Sequence, residues 1–174
     1  VDNQLRKRGI NDTAVLDAMS TVPRHRFVSK IYSPMAYTDN PLPIGHGQTI
    51  SQPYIVALMT QLLQIEKEHK VLEIGTGCGY QTAILSILSK MVITLEVKGS
   101  LSKGSQKRLV NLGYKNIIFH CADGKRGWKK EAPFDRILVS AAPENIPELL
   151  IEQLAPEGYM VIPVGSLYDQ FIHI

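Results

Sequence analysis

Three glycines at alternate positions, Gly75, Gly77 and Gly79, follow Lys70-Val71-Leu72-Glu73-Ile74, a short apolar run carrying one acid. That is how a buried parallel strand gives way to a tight turn that opens a helix. Glycine permits φ > 0 and, lacking a Cβ, lets a ligand lie against the backbone. Glu96 ends the next apolar run, Met91-Val92-Ile93-Thr94-Leu95, and stands 21 positions after Gly75. An acid at about 20 residues is where a ribose hydroxyl partner is expected in a doubly wound nucleotide fold. The pair predicts an adenosine-bearing ligand.

Spacing narrows the choice of ligand. A dinucleotide fingerprint reads G-x-G-x-x-G and brings helix-terminal amides to a pyrophosphate. Here Gly75-Thr76-Gly77-Cys78-Gly79 has Glu73 two places before it, and E-x-G-x-G-x-G resembles the S-adenosylmethionine loop of class I methyltransferases. That ligand has no phosphate but carries a sulfonium cation and an α-amino group, so a nearby acid is tolerable. A nicotinamide enzyme and a glycine turn serving only helix–strand packing are the alternatives. Asp123-Gly124 follows a third apolar run. An Asp there can accept from an adenine amino group while Gly lets the ring approach; the plain alternative is an Asp-Gly turn.

Gly47-Gln48-Thr49-Ile50-Ser51-Gln52-Pro53 closes an irregular stretch rich in Pro and Gly over 34–50. Loops of that length tend to be functional. Ser51 reads first as an N-cap, with Pro53 at home in the first helical turn. A helix N-terminus bearing hydroxyls is also a ready carboxylate site.

Positioning these residues requires an alternation of strands and helices. Apolar periodicity predicts two short helices in 3–20, broken at Gly9-Ile10-Asn11, with Asn11 or Asp12 capping the second. A helix follows over 53–64, then strand 70–74, helix 79–89, strand 92–96, helix 101–112, strands 116–121 and 135–140, helix 147–154 and strand 159–163. Such alternation implies a parallel sheet with crossover helices on both faces, and ligands at the carboxyl ends of its strands. Gly75, Glu96, Asp123 and Ser140 all fall at those ends.

At 174 residues the chain reads as one domain, 1–174, with a helical and loop cap over 1–64 and a ligand-binding core over 65–174. Apolar content of 44% and a net charge of +3 suit a soluble globular protein. Basic residues are scattered, so no nucleic-acid partner is expected, and no apolar run is long enough for a membrane span. Cys78 and Cys121 lack metal-ligand spacing and read as reduced thiols of a cytoplasmic protein; the five histidines form no ligand pattern, so no metal is expected. The chain does not open on Met, which points to a processed or trimmed start. Oligomeric state is left open.

Longer segments carry a more specific likeness. Arg8-Gly9-Ile10, Val22-Pro23-Arg24-His25-Arg26-Phe27-Val28, Tyr37-Thr38-Asp39, the block from Pro43 to Pro53, Leu112-Gly113-Tyr114, Gly127-Trp128, Ala132-Pro133-Phe134-Asp135 and Ile162-Pro163-Val164-Gly165 resemble the protein-L-isoaspartate O-methyltransferase family. The Pro43 to Pro53 block is the specific part, since the glycine loop is common to class I methyltransferases. The resemblance implies a three-layer, doubly wound, Rossmann-like α/β methyltransferase sheet with an N-terminal helical cap. It implies methyl transfer from S-adenosylmethionine, leaving S-adenosylhomocysteine, to the free α-carboxylate of isoaspartyl residues in damaged proteins. The ester then collapses to a succinimide that can reopen to aspartate. It assigns Ser51 as the active-site residue. It sets Thr49, Ile50 and Gln52 against the cofactor with Gly75, Thr76, Gly77 and Gly79, Glu96 on the ribose and Asp123-Gly124 by the adenine. Ser140, Ala141 and Ala142 border the substrate together with Ser51.

Two departures stand out. Val97-Lys98-Gly99-Ser100-Leu101-Ser102-Lys103-Gly104-Ser105 replaces a more apolar, helix-favouring stretch. Glycine inside a helix costs about 1 kcal/mol relative to Ala, so this helix is expected to be mobile or poorly formed at its start. Family members also run on past this C-terminus into an antiparallel hairpin that completes the sheet. That hairpin reads as missing here, which would leave strand 159–163 as an edge. A methyltransferase for another carboxylate, or a module that binds S-adenosylmethionine without catalysis, are the rival readings.

Overall fold

Val71 and Leu72 are neighbours on one strand and both are fully buried, yet they enter different cores. Leu72 packs with Ile93, Ile137 and Ile162 on one face; Val71 packs with Val92, Leu138 and Val161 on the other. Successive strand side chains point to opposite faces, so continuous apolar runs of this kind require a sheet covered on both sides. The computed structural model describes residues 3–165 and 170–174.

Helix α1 (Thr13–Thr21) is capped by Asp12, whose carboxylate accepts the Val15 N–H at 3.1 Å. A short 3-10 turn, Arg6–Arg8, precedes it and is closed by Gly9 at φ 89°. The stretch that showed no period contains a small antiparallel hairpin, β1 (Leu42–Gly45) and β2 (Gln48–Ile50). Its strands are too short to show an alternation in sequence. Helix α2 (Pro53–Leu62) follows.

The main sheet then builds as β3 (Lys70–Ile74), α3 (Tyr80–Leu88), β4 (Met91–Leu95), α4 (Gly99–Asn111), β5 (Ile117–His120), β6 (Phe134–Val139), α5 (Glu148–Ile151), β7 (Leu154–Gly165) and β8 (Gln170–His173). Strand order is β5-β4-β3-β6-β7-β8, parallel from β5 to β7 and antiparallel at β8. The chain runs outward from β3 to β5 and then returns to the opposite side of β3 with β6. A crevice therefore opens at the carboxyl ends of β3 and β6, the switch point at which such sheets bind ligands. The N-terminal residues Leu5, Ile10 and Leu16 share one core with Tyr80, Ile84 and Leu109, which fixes α1 and α2 over the α3 side of that crevice.

Two expectations change. Strand β7 is not an edge, because β8 pairs with it from Ile162↔His173 to Gly165↔Gln170. The backbone groups of Ile162 to Gly165 therefore find ladder partners within this chain, and β8 is the outermost strand on that side among the described residues. Helix α4 is continuous from Gly99, with no break at Gly104. Its small residues have a packing use: a Cβ at Gly79 would stand 3.3 Å from the Ser105 Cβ and 2.8 Å from Leu109 Cδ1. A bulkier residue at position 105 would push α4 away from the start of α3. Among the described residues no helix is long and apolar enough to cross a membrane.

Candidate active site

All three glycines of the turn after β3 have positive φ: Gly75 at 96°, Gly77 at 53° and Gly79 at 88°. L-residues rarely adopt such values, so the turn is specified by its glycines. Gly75 N–H donates to the Leu95 carbonyl at 2.8 Å, and Ser140 N–H donates to the Ile74 carbonyl at 2.8 Å, tying the ends of β3, β4 and β6 together. The Glu96 carboxylate is fastened at both oxygens. Oε2 accepts from Gly77 N–H and Oε1 from Lys98 N–H, each at 2.9 Å. A carboxylate offers about four lone-pair sites, so two remain for a ribose diol.

Glu73 lies beneath the turn and is fully buried. Its Oε2 accepts from the hydroxyls of Thr82 and Thr94, each at 2.6 Å, and Thr76 Oγ1 meets Thr94 Oγ1 at 2.6 Å. Burial pushes the Glu73 carboxyl up to about 7, against the pull of the two threonine hydroxyls. Its Oε1 has no hydrogen-bond partner among the described residues. This acid supports the turn from below and does not line the crevice.

The crevice is a cleft of about 900 Å³ lined by Gly75, Glu96, Asp123, Gly124, Ala141 and Ala142, all named from the sequence. Its far wall is the segment from Pro143 to Pro147, which the sequence did not single out. Asp123 Oδ1 accepts the Lys125 N–H at 3.0 Å, so the plain turn is present alongside the cleft position. At Gly124 a Cβ would lie 2.2 Å from Ile74 Cγ2, so any side chain there would force Ile74 to shift.

A second, smaller cavity of about 100 Å³ adjoins it, lined by Ser51 with Thr49, Ile50, Thr76, Gly77 and Ser140. Gln48, Gly75, Glu96 and Ala141 line both spaces. Hairpin β1–β2 lies across the glycine turn, for a Cβ at Gly77 would come 3.3 Å from Ile44 Cδ1. Two residues from the sequence assignment stand apart. Gln52 turns its side chain to Asp39, at 2.8 Å, and Gly79 serves the approach of α3 to α4.

Ser51 does not cap α2. The cap residue is Gln52, which makes no side-chain cap bond, and the acceptor comes from Asp39, whose Oδ1 takes the Tyr54 N–H at 3.0 Å. The Ser51 carbonyl accepts from Arg24 Nη2 at 2.8 Å, and its hydroxyl makes no hydrogen bond among the described residues. Sequence reasoning missed Asp39 and Arg24 as site residues. Both lie in motifs quoted above, but nothing local marks them as partners of the Ser51 segment.

A family model described as Protein-L-isoaspartate(D-aspartate) O-methyltransferase matches residues 1–174. The chain belongs to that family. It is 52% identical over 166 residues to the protein-L-isoaspartate O-methyltransferase of Gloeobacter violaceus, covering 95% of this chain and 81% of that one. A solved protein-L-isoaspartate O-methyltransferase superposes with a TM-score of 0.84 at 30% identity over 91% of this chain. The present chain spans 52% of its length. A Plasmodium falciparum protein described as a protein-L-isoaspartate O-methyltransferase, solved with S-adenosyl-L-homocysteine, has a TM-score of 0.82 at 29% identity, covering 98% of this chain and 85% of that one. The resemblance carried by the Pro43 to Pro53 block and the glycine turn thus extends along the whole of this chain.

Proposed function

We propose that this chain is an S-adenosylmethionine-dependent protein-L-isoaspartate O-methyltransferase acting on the free α-carboxylate of isoaspartyl residues in damaged proteins. The observation that carries this reading is the joining of two cavities at Gly75, Glu96 and Ala141, one of cofactor size and one walled by Ser51. Drug-sized ligands occupy clefts of roughly 300–1,000 Å³, and the donor set of glycine turn, Glu96 and Asp123 suits an adenosyl group.

In this reading Glu96 holds the ribose with the lone pairs that Gly77 and Lys98 leave free, and the Asp123-Gly124 turn lies along the adenine. The bound cofactor supplies a methyl group on a sulfonium cation. An isoaspartyl α-carboxylate has an ordinary pKa of about 3.5 and is already ionised at neutral pH, so no general base is needed. What the chain contributes is placement in line and exclusion of water. The Ser51 hydroxyl, released from capping by Asp39, donates to the acceptor carboxylate and sets its line of attack. Thr49 and Ile50 close the same wall, and Ser140, Ala141 and Ala142 border the acceptor from the end of β6. Two free cysteines are in keeping with a cytoplasmic protein.

The test offers labelled S-adenosylmethionine with paired peptides that differ only in isoaspartyl or aspartyl linkage. Label on the isoaspartyl peptide alone is the expected result. Equal labelling of both, or binding without transfer, would overturn it.

A further inference from the structure

Arg24 is 1% exposed and makes no ion pair among the described residues. Its guanidinium spends its donors on carbonyls: Nε on Ala36 at 2.8 Å, Nη2 on Ser51 at 2.8 Å and on Asn40 at 3.4 Å. The group stands 4.9 Å from the centroid of the Tyr80 ring. Its Nη1 is buried and makes no hydrogen bond among the described residues. Arginine stays protonated in proteins, so a full positive charge sits here without a counter-ion in contact.

Asp39 acts on it only from a distance, its carboxylate being in contact with Arg8, Gln52 and the Tyr54 N–H. The acids of the site, Glu73 and Glu96, are held under and beside the glycine turn by threonine hydroxyls and backbone amides. Ser51 and Tyr80 both wall the small cavity, and both touch Arg24. The guanidinium therefore lies behind the Ser51 wall of the small cavity, while the Glu96 carboxylate, held by Gly77 and Lys98, stands on the side that this cavity shares with the cleft. A buried, unpaired charge is costly, and a charge in a region of low dielectric acts over several ångströms. An anion in the small cavity would offset that cost.

We propose that Arg24 determines specificity for an anionic acceptor, its buried charge drawing a carboxylate into the cavity beside Ser51. The proposal rests on the reading of the acceptor as an isoaspartyl α-carboxylate. It makes Arg24 a specificity residue that acts through the cavity wall, while its bond to the Ser51 carbonyl holds that wall in place.

The experiment measures KM and kcat for an isoaspartyl peptide in the wild type, Arg24→Lys and Arg24→Gln, with S-adenosylhomocysteine affinity by calorimetry. Inhibition by the same peptide as α-carboxylate and as neutral α-carboxamide gives a carboxylate preference for each protein. Removing the charge should raise KM about tenfold and collapse the carboxylate preference in Arg24→Gln, as loss of one close charge pair implies. S-adenosylhomocysteine affinity should stay within about twofold, and Arg24→Lys, which keeps the charge but loses the fork, should hold KM within about threefold. Equal loss of preference in both variants, or an unchanged preference in Arg24→Gln, would overturn the proposal. If Arg24→Gln does not fold, Arg24→Lys decides: a retained preference supports the charge and a lost one refutes it. Failure of the wild type to methylate the isoaspartyl peptide would overturn the reading of the acceptor itself, and Arg24's role with it.

Discussion

The Asp39 carboxylate accepts the Tyr54 N–H at 3.0 Å and so caps α2 from 15 residues away, in place of Ser51 next to the helix. The same carboxylate takes the Gln52 amide at 2.8 Å and pairs with Arg8, whose guanidinium stacks 3.5 Å over the Tyr54 ring. One acid thus closes the N-terminal cap against the segment that carries Ser51.

Capping and catalysis are therefore separable. Ser51→Ala should cut methyl transfer strongly while shifting Tm by no more than about a degree, since no cap is lost. Asp39→Ala should remove about 1–2 kcal/mol of stability, a fall of roughly 2–8 °C in Tm for a protein of this size. Thermal melts beside initial rates for both variants decide it. A large loss of Tm in Ser51→Ala would return Ser51 to a structural role.

Glu96 receives Gly77 and Lys98 N–H groups at 2.9 Å each and still has lone pairs facing the cleft. Glu96→Gln replaces a charged acceptor by an amide that also carries an unwanted donor. Charge-assisted hydrogen bonds are worth about 1.5–3 kcal/mol, so S-adenosylhomocysteine affinity should fall roughly tenfold to a hundredfold by calorimetry. Unchanged affinity would remove Glu96 from the cofactor site.

Stability should depend on pH through Glu73. Burial raises its carboxyl from 4.5 to about 7 in the folded chain, so between those values the folded state holds a proton that the unfolded state has released. Folding is then favoured most below the unfolded value and weakens as pH rises through the folded one, by about 3 kcal/mol if the whole shift is realised. The wild type should lose several degrees of Tm between about pH 5 and 7.5 relative to Glu73→Gln, which cannot ionise. Parallel pH slopes for the two proteins would contradict this.

His46 Nε2 at the tip of the β1–β2 hairpin meets Ser100 Oγ of α4 at 3.0 Å. Both residues are exposed, so the contact contributes little to folding, but it fastens the hairpin to the helix that follows Glu96. His46→Ala and Ser100→Ala should each weaken S-adenosylhomocysteine about twofold to tenfold with Tm nearly unchanged. The double variant should be no worse than either single one, because both remove the same bond. Additive losses would show that the two residues act independently.

The glycine turn, Glu96 and the strands behind them were legible because each depends on its own neighbours: positive φ on glycine, burial on apolar runs, an acid at a strand end. Residues 70–74 form the expected strand for that reason. The hairpin over 42–50 was not legible, since strands of four and three residues carry no period. Strand β7 runs over Leu154–Gly165, well beyond the expected 159–163, because pairing with β6 and β8 extends it.

By itself the sequence determined the doubly wound core, the adenosyl-type turn and, through the Pro43 to Pro53 block, the family to which the chain is similar. Only the tertiary structure decided what Ser51 is free to do. The local rule made it a cap, and the fold supplied a better acceptor from Asp39 and a brace from Arg24, 27 residues earlier in the chain. Hydrogen-bond partners are chosen by distance in space, and a side chain two elements away can satisfy a helix end while leaving a hydroxyl for chemistry.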